Sequence, residues 1–394
     1  MTIYLDHAAT TPLRREALDA MLPYLTERWG NPSSPHAVGR RARAGLDEAR
    51  DLLARRLNAQ TREIVFTSGG TEAINLAVKG AAWAGKSMGN RIITSAVEHH
   101  AVLNSCHVLE KFGFEVVQLP VDRYGRADPD QLTAALTEKT ILVSLQMANN
   151  EVGTIQPLGE LIHRVRANRG VLVHVDAVQA AAYQEIDVAT LDADLLSLAA
   201  HKFEGPKGAG ALWLRHGTAI LPQTHGGTQE RYRRAGTEDV AGAVGMATAY
   251  DLACAERQST IGKLRRQRDR LRDAILALPN VEATGHPRAR LPGLLSLIVR
   301  EVEGDALVLA LDLEGICCST GSACTTGSTE PSHVLTAMGF PDDEARCALR
   351  LSLGRTTTDD DVDRAAELIP AAIARLRAGS AALASDPLGQ GVGA

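Results

Sequence analysis

Lysine is scarce in this 394-residue sequence, so the position of each lysine is informative. Only seven occur, and Lys202 lies between an apolar stretch, DLLSLAA, and a glycine-rich turn in HKFEGPKGAG. A lysine amine that is partly removed from water loses its proton more easily and becomes a nucleophile. The pattern therefore marks Lys202 as the candidate amine nucleophile, and Lys207, between Pro206 and Gly208, as a solvated turn residue.

Two other features have the chemistry that would complement such a lysine. The stretch IVFT is followed by SGGTEA, where two glycines precede a helix start whose free N–H groups suit a phosphate, although a plain tight turn is the likelier meaning of that motif alone. Asp176 ends the apolar stretch VLVHVDA, and a carboxylate in such surroundings needs a cationic partner. Together the three features match the phosphate cradle, ring-nitrogen partner and covalent lysine that pyridoxal phosphate requires.

Adjacent histidines follow another apolar stretch, in RIITSAVEHHAV. His99 and His100 point in different directions as neighbours in the chain, which disfavours a shared metal ion. For His100, an ordinary solvated or hydrogen-bonded histidine is as good an interpretation as a functional one.

The stretch CCSTGSACTTGS contains three of the six cysteines among small polar residues, which favour a mobile loop. Three functions are possible for these cysteines: a disulfide framework, a metal site, or a single nucleophile that moves with its loop. The spacing fits no zinc motif, and thiols stay reduced in the cytoplasm, the expected compartment. We therefore expect Cys317 and Cys318 to end a packed strand, and the residues alone leave open whether one thiol of the loop is a nucleophile.

These residues must be positioned by a repeated strand–helix pattern, which predicts a mostly parallel sheet with helices on its faces. Active sites in such sheets collect at the carboxyl ends of the strands. The predicted strands are 64–67, 91–96, 115–120, 140–146, 171–177, 194–199 and 294–300, with a further strand-like CALRLSLG. The predicted helices are 13–29, 40–57, 71–84, 157–168, 261–278, 305–315 and about 359–377.

The pattern changes beyond about residue 255, which predicts two domains. We expect a large α/β cofactor-binding domain over 13–258, a smaller α+β domain over 1–12 and 259–380, and a disordered tail over 381–394. The net charge of −5 does not indicate the basic surface that nucleic-acid binding needs, and no apolar run is long enough to span a membrane. The N-terminus lacks the pattern of a signal peptide, so the expected compartment is the cytoplasm.

The sequence resembles the cysteine desulfurases of the iron–sulfur-cluster assembly type, within the class V aminotransferase group of fold-type-I pyridoxal-phosphate enzymes. Nearly the whole chain takes part in the resemblance. Its nine motifs, in order, are YLDHAATTP, NPSSPHAVGR, FTSGGTEAINLA, VEHHAVL, ANNEVGTIQP, HVDAVQA, AHKFEGPKG, RRAGTEDV and STGSACTTGSTEPSHVL. The resemblance implies a seven-stranded sheet of that fold type and pyridoxal 5′-phosphate as cofactor.

The resemblance also implies roles for individual residues. Lys202 would bond the cofactor covalently, Asp176 would pair with its ring nitrogen, and Gln179 would bind its ring hydroxyl oxygen. His99 would stack on the ring and carry protons. Cys324 would accept sulfur, and it is a candidate transient iron–sulfur ligand in a chain expected to hold no intrinsic metal. The cofactor phosphate would be held by Gly70, Thr71 and His201, together with Thr237 from a second subunit. The substrate carboxylate would be held by Asn150 and Arg350, with Arg355 as the alternative to Arg350.

The implied reaction converts L-cysteine to L-alanine and leaves sulfur on the enzyme as a persulfide, for delivery to a cluster scaffold or a tRNA-thiolation carrier. A homodimer is implied as well. A selenocysteine lyase or another class V enzyme is the alternative, and a non-catalytic scaffold is disfavoured because Lys202, Asp176 and Cys324 are all present. Two departures concern phosphate binding: Ala199 stands where many members have serine, and Thr228 where many have a third glycine.

Overall fold

The computed structural model describes residues 2–168, 170–321 and 330–385. Its strands are β1 (Ile3–Tyr4), β2 (Ile64–Thr67), β3 (Arg91–Ser95), β4 (Glu115–Leu119), β5 (Thr140–Gln146), β6 (Leu172–Asp176), β7 (Leu195–Ala199), β8 (Gly210–Leu214), β9 (Val281–Ala283), β10 (Leu294–Val299), β11 (Ile316–Cys317) and β12 (Ala348–Ser352).

Helices make up much of the rest of the described chain. They are α1 (Arg15–Thr26), α2 (Ala37–Leu57), α3 (Gly70–Gly85), α4 (His100–Glu110), α5 (Pro129–Ala135), α6 (Leu158–Arg166), α7 (Val188–Leu191), α8 (Gln229–Tyr232), α9 (Val240–Leu276), α10 (Gly304–Leu313), α11 (His333–Ala337), α12 (Asp342–Ala345) and α13 (Asp359–Ser385). None of the helices in the described ranges is both long and apolar enough to cross a membrane.

A seven-stranded sheet in the order β2-β8-β7-β6-β5-β3-β4 forms the centre of the molecule. Strands β3 to β7 pair in parallel, and β8 runs antiparallel to both of its neighbours, β2 and β7. The residues of β5 and β7 are buried along their full length, as expected for strands covered on both faces. This architecture confirms the predicted fold class.

Separate apolar clusters cover the two faces of the large sheet. On one face, α2, α6 and the first half of α9 contribute Leu46, Leu161 and Met246 to a cluster with residues of β5 and β6. On the other face, α3 and α4 contribute Ile74 and Val102. The strand ends between these layers are thus held from both sides.

Two smaller sheets lie apart from the large one. Strands β12, β10 and β9 form an antiparallel sheet, and β1 pairs in parallel with β11. Their core joins Leu295 and Leu351 to Leu271 of the second half of α9 and Ile369 of α13. Helix α9 therefore runs through the predicted boundary at residue 258 and contributes to both cores; the division into two domains stays a prediction.

Several short elements were not predicted from the sequence, and three larger differences bear on the packing. Strand β8 is absent from it, and α9 begins at Val240, about twenty residues before the predicted helix. The first half of α9 is rich in alanine and glycine, which gives no apolar stripe but allows close packing: a Cβ on Gly245 would meet Sδ of Met21 at 2.4 Å. Helix α13 continues to Ser385, so the first five residues of the expected disordered tail are helical.

Close backbone approach between β8 and the turn after β2 yields the first prediction. A Cβ added at Gly210 would lie 2.5 Å from the carbonyl carbon of Gly69. Backbone atoms would have to move to relieve this clash. We expect Gly210→Ala to lower the free energy of unfolding by about 1–3 kcal/mol, measured by urea denaturation. Gly159→Ala in α6, where a Cβ would meet nothing within 4 Å, is the control and should not destabilise the protein. Equal stability of the two variants would contradict the prediction.

Candidate active site

A cavity of about 360 Å³ opens at the carboxyl ends of the parallel strands. It brings together most of the residues predicted from the sequence: Gly70, Thr71, His99, Asn150, Asp176, Gln179, His201, Lys202 and Arg350. These residues come from the ends of β2, β3, β5, β6 and β7 and from β12 of the smaller sheet. The rule that sites lie where strands end thus accounts for where most of these residues lie.

Lys202 lies at the end of a short 3₁₀ turn, Ala200–Lys202, that follows β7 directly. Its amine donates hydrogen bonds to the backbone carbonyl oxygens of Ala8 and Ala9, at 3.0 Å for the second. The N-terminal motif YLDHAATTP therefore supplies the acceptors that orient the lysine. The sequence analysis recognised that motif without assigning this task to it.

The turn between β2 and α3 has the geometry of a phosphate cradle. Gly69 has a φ of +144°, and α3 begins at Gly70 with its first N–H groups at the cavity wall. At Gly70, a Cβ would meet Cγ2 of Val178 at 2.9 Å and Cβ of Ala199 at 3.1 Å. Glycine is thus required sterically, and Ala199, the departure noted in the sequence, packs beside it without offering a hydroxyl.

Asp176 ends β6 and is buried, with one carboxylate oxygen accepting the backbone N–H of Val178 at 2.9 Å. Burial raises the pKa of this carboxyl to about 6, against the opposing effects of the Val178 bond and the charge of Lys202. Gln179, also at the cavity wall, has its side-chain oxygen buried without a hydrogen-bond partner among the described residues. An unpaired buried oxygen of this kind is costly unless a ligand donates to it.

The two histidines next to the lysine are electrically neutral. His99 caps α4, its Nδ1 accepting the N–H of Ala101 at 3.0 Å, and burial together with the charge of Lys202 lowers its pKa to about 4. Burial, then Lys202 and Lys207, lowers the pKa of His201 to about 4 as well. A buried ring beside a cationic lysine disfavours a second positive charge, and the proton-carrying role expected of His99 stays a prediction.

Arg350 reaches the cavity from β12 and is only 2% exposed. Its guanidinium donates to the carboxylate of Asp6 at 2.8 Å and to the carbonyl oxygens of Asn150 and Gly321 at 3.0 and 3.1 Å, while Nε has no partner among the described residues. Arg355, the alternative, instead lines a small neighbouring hollow and pairs with Glu204 at 2.7 Å. The structure thus places Arg350, and not Arg355, at the cavity.

Two predicted site residues are not brought to this cavity. Thr237 is exposed and lines a different hollow, with Arg234 and Glu230. Its assignment to the site of a second subunit stays a prediction. Cys324 lies outside the described residues, although Gly321, three positions before it, lines the cavity.

The other cysteines behave largely as structural residues. Cys317 ends β11, as expected, although both it and Cys318 are partly exposed and not fully buried. Cys106 is buried in α4. Within the ranges that the structure describes, no group of three or more potential metal ligands comes together.

Sequence reasoning missed several polar residues around the cavity. Glu98, before the two histidines, is fully buried, and one of its carboxyl oxygens lies 2.5 Å from Oγ of Ser95 and 3.1 Å from N of Gln146. Burial raises its pKa to about 8, against the effect of those two bonds. Gln146, Glu151 and His333 also line the cavity. Only the motif VEHH could have indicated Glu98, since charged residues are rarely buried without a reason.

The described residues fit pyridoxal phosphate. The glycine turn at the start of α3 suits its phosphate, the buried Asp176 carboxyl suits its ring nitrogen, and the unpaired oxygen of Gln179 suits its ring hydroxyl. Lys202 supplies the amine. Fold and cavity therefore define a fold-type-I pyridoxal-phosphate enzyme.

Comparison with known proteins agrees with this class. The family model described as "Aminotransferase class-V" matches residues 3–365. A protein named cysteine desulfurase IscS, from Methanosarcina thermophila, is 50% identical over 95% of this chain and 93% of its own length; another of that name, from Dictyoglomus turgidum, is 48% identical over 95% of both. A solved structure titled NifS-like protein superposes with a TM-score of 0.90 at 35% identity, covering 95% of this chain and all of that one.

The chain belongs to the class-V aminotransferase family, which depends on pyridoxal phosphate. Its resemblance to the cysteine desulfurases, expected from the nine motifs, is thereby confirmed.

The buried Glu98 leads to a prediction about pH. A folded-state pKa above the unfolded value means that the folded protein holds a proton there between about pH 4.5 and 8. Stability from this group is present below that window and is lost as the pH rises through it. Glu98→Gln, which is neutral at every pH, should therefore gain stability relative to the wild type between pH 5 and pH 8, by on the order of 2 kcal/mol in urea denaturation.

The matched control is Glu138→Gln, at an exposed position before β5. Its stability relative to the wild type should not depend on pH. A Glu98→Gln difference that stays constant from pH 5 to pH 8 would show that the buried carboxyl does not hold its proton in this window.

Proposed function

We propose that this chain is a cysteine desulfurase that converts L-cysteine to L-alanine and takes the sulfur onto Cys324 as a persulfide. The observation that supports this most is the cavity itself, where a lysine nucleophile, a buried carboxyl, a glycine phosphate turn and a buried arginine converge. The relatives named cysteine desulfurase, at 48–50% identity over 95% of the chain, favour this reaction among those of the family.

Lys202 would anchor the cofactor and then move a proton at the substrate's Cα. The carbonyl oxygens of Ala8 and Ala9 hold its amine in place for both tasks. Asp176 would keep the ring nitrogen protonated, and Gln179 would donate to or accept from the ring hydroxyl. When bound, pyridoxal phosphate supplies the electron sink that makes loss of the Cα proton feasible.

Arg350 would bind the substrate carboxylate. Its Nε is buried without a described partner, and its fork already contacts Asp6 and the carbonyl oxygen of Asn150, so the guanidinium is held rigidly at the cavity wall. A fixed, desolvated guanidinium binds a carboxylate selectively because its N–H groups match the positions of both carboxylate oxygens.

Cys324 would be the sulfur acceptor. It follows Gly321, a cavity residue, by three positions, and three extended residues span at most about 11 Å. Covalent connection alone therefore limits the distance of Cys324 from the cavity wall at Gly321 to about that length. Because His99 and His201 are neutral, they add no positive charge to that of Lys202 and Arg350 in the cavity.

The wider role is also a proposal. The persulfide would supply a sulfur-acceptor protein, either a cluster scaffold or a tRNA-thiolation carrier, in the cytoplasm. The enzyme would act as a homodimer in which Thr237 of each chain completes the phosphate site of the other. Arg234 and Glu230 beside Thr237 would then lie near the same contact.

Removal of the acceptor thiol tests the reaction. With L-cysteine as substrate, Cys324→Ala should lower alanine formation by a factor on the order of 10³ or more, measured by amino-acid analysis, because the substrate sulfur then has no nucleophile to receive it. Cys347→Ala, in the turn before β12, is the matched control and should retain wild-type rates. Undiminished alanine release from Cys324→Ala would refute the persulfide route, and parallel assays with L-selenocysteine test the alternative substrate.

Removal of the anchoring amine tests the site. Lys202→Ala should lose the visible absorbance of lysine-bound cofactor and all alanine formation, since no other lysine lines the cavity among the described residues. Lys207→Ala, exposed on the same turn, is the control and should keep the absorbance. An unchanged spectrum of Lys202→Ala would mean that another amine holds the cofactor.

A further inference from the structure

The cavity contains a pair of histidines for which the reaction described above has no use. His100, the first residue of α4, and His333, the first residue of α11, both line it. Their ring centroids lie 4.6 Å apart, with the ring planes tilted by 44°. The two helices belong to different layers of the fold, so this contact is a tertiary arrangement and not a local one.

The His333 ring is held in a defined orientation. Its Nε2 lies 3.0 Å from the backbone carbonyl oxygen of Glu98, which can only accept, so Nε2 carries the proton and Nδ1 is the basic nitrogen of the neutral ring. Ser332 fixes the helix start by accepting the N–H of Leu335 at 3.2 Å and donating to the Glu151 carboxylate at 2.5 Å. Hydrogen bonds at the ring and at the start of its helix thus hold His333 in place.

Titratable groups from several elements surround the pair. His100 faces His333 of α11, His99 of its own turn and Glu151 of the segment after β5, and Lys202 adds positive charge beyond His99. Burial and His333 lower the pKa of His100, whereas Glu151 raises it. Two cationic rings at 4.6 Å would repel each other, and one carboxylate nearby stabilises a single shared charge.

The pair lines the same cavity as Lys202 and Arg350, the residues that would act on the substrate. A substrate whose carboxylate binds Arg350 and whose Cα lies within reach of Lys202 would direct its side chain toward another wall of the cavity. Glu151 is at that wall, with its carboxylate 3.4 Å from the position of a Cβ on Gly321, and Ser332 and His333 adjoin it. Gly321 and His333, which flank in sequence the segment that contains Cys324, both line the cavity.

His99 is less suited to proton transfer in this step. Its Nδ1 already accepts the N–H of Ala101, and its pKa of about 4 makes it a weak base at neutral pH. General acid–base catalysis is most effective when the pKa of the group lies near the working pH.

We propose that the His100–His333 pair is the proton carrier of the sulfur-transfer step, an inference that rests on the proposed desulfurase function. The two thiols bring two protons. One stays on the terminal sulfur of the persulfide, and the pair takes up the other and gives it to the substrate's Cβ. The thiolate electron pair of Cys324 forms the S–S bond, and the electron pair of the broken C–S bond remains with Cβ. The carbon is thereby reduced by two electrons, and the two sulfurs together are oxidised by two electrons.

Single-turnover kinetics on the holoenzyme test this assignment. Saturating L-cysteine is mixed with His100→Asn, His333→Phe and wild type, and alanine formation is followed from pH 5.5 to pH 9. Both variants should slow the step by about 10²-fold at pH 7 and lose the acid limb that the wild type shows as its pair becomes protonated. Added imidazole should restore part of the rate in His333→Phe, whose phenyl ring preserves the packing.

The control is His107→Gln, an exposed histidine on the same helix, which should match the wild type. Rates within twofold of wild type at every pH, or a slow step that keeps its acid limb and does not respond to imidazole, would show that the pair only packs the wall. Failure of the proposed desulfurase function would give a different result from failure of the histidine assignment. In that case Cys324→Ala would release alanine at the wild-type rate, whatever the rates of the histidine variants.

Discussion

The buried guanidinium of Arg350 is the interaction on which the arrangement of the site depends. It belongs to the small antiparallel sheet, yet it bonds to Asp6 near the N-terminus, to the carbonyl oxygen of Asn150 after β5 and to that of Gly321. Removing a cation from water is costly, and the cost is offset only when several acceptors surround it in good geometry. This single side chain thus fixes the separation between the small sheet and the strand ends of the large one.

Around that arginine, burial drives most titratable groups toward their neutral forms. The pKa values of His99, His201 and the sheet histidine His174 are lowered by burial, and those of Asp176 and Glu98 are raised by it. A cavity with few fixed charges of its own lets the charges of a substrate and cofactor dominate the local field. Electrostatic interactions in such a poorly solvated space are stronger than in water, which favours binding through a small number of well-placed groups.

The sequence predicted the sheet and most of the cavity because parallel strands end at one edge. Asp176 and Lys202 each follow an apolar strand, so their position at that edge follows from the topology. The partners of Lys202 could not be predicted in the same way, since Ala8 and Ala9 are backbone acceptors almost 200 positions away. His333 was missed for a related reason: its meeting with His100 depends on how α11 packs against the large sheet, which no local pattern encodes.

The pairing of β1 with β11 has a consequence for how the enzyme is made. Ile3 and Tyr4 pair with Ile316 and Cys317, and Asp6 bonds to Arg350, so segments that lie far apart in the sequence must find each other. Contacts between such distant parts of a chain form slowly and late. The segment that contains Ala8 and Ala9 can therefore take its place only after Arg350 has been synthesised, so the lysine that it orients becomes competent for its cofactor late in folding.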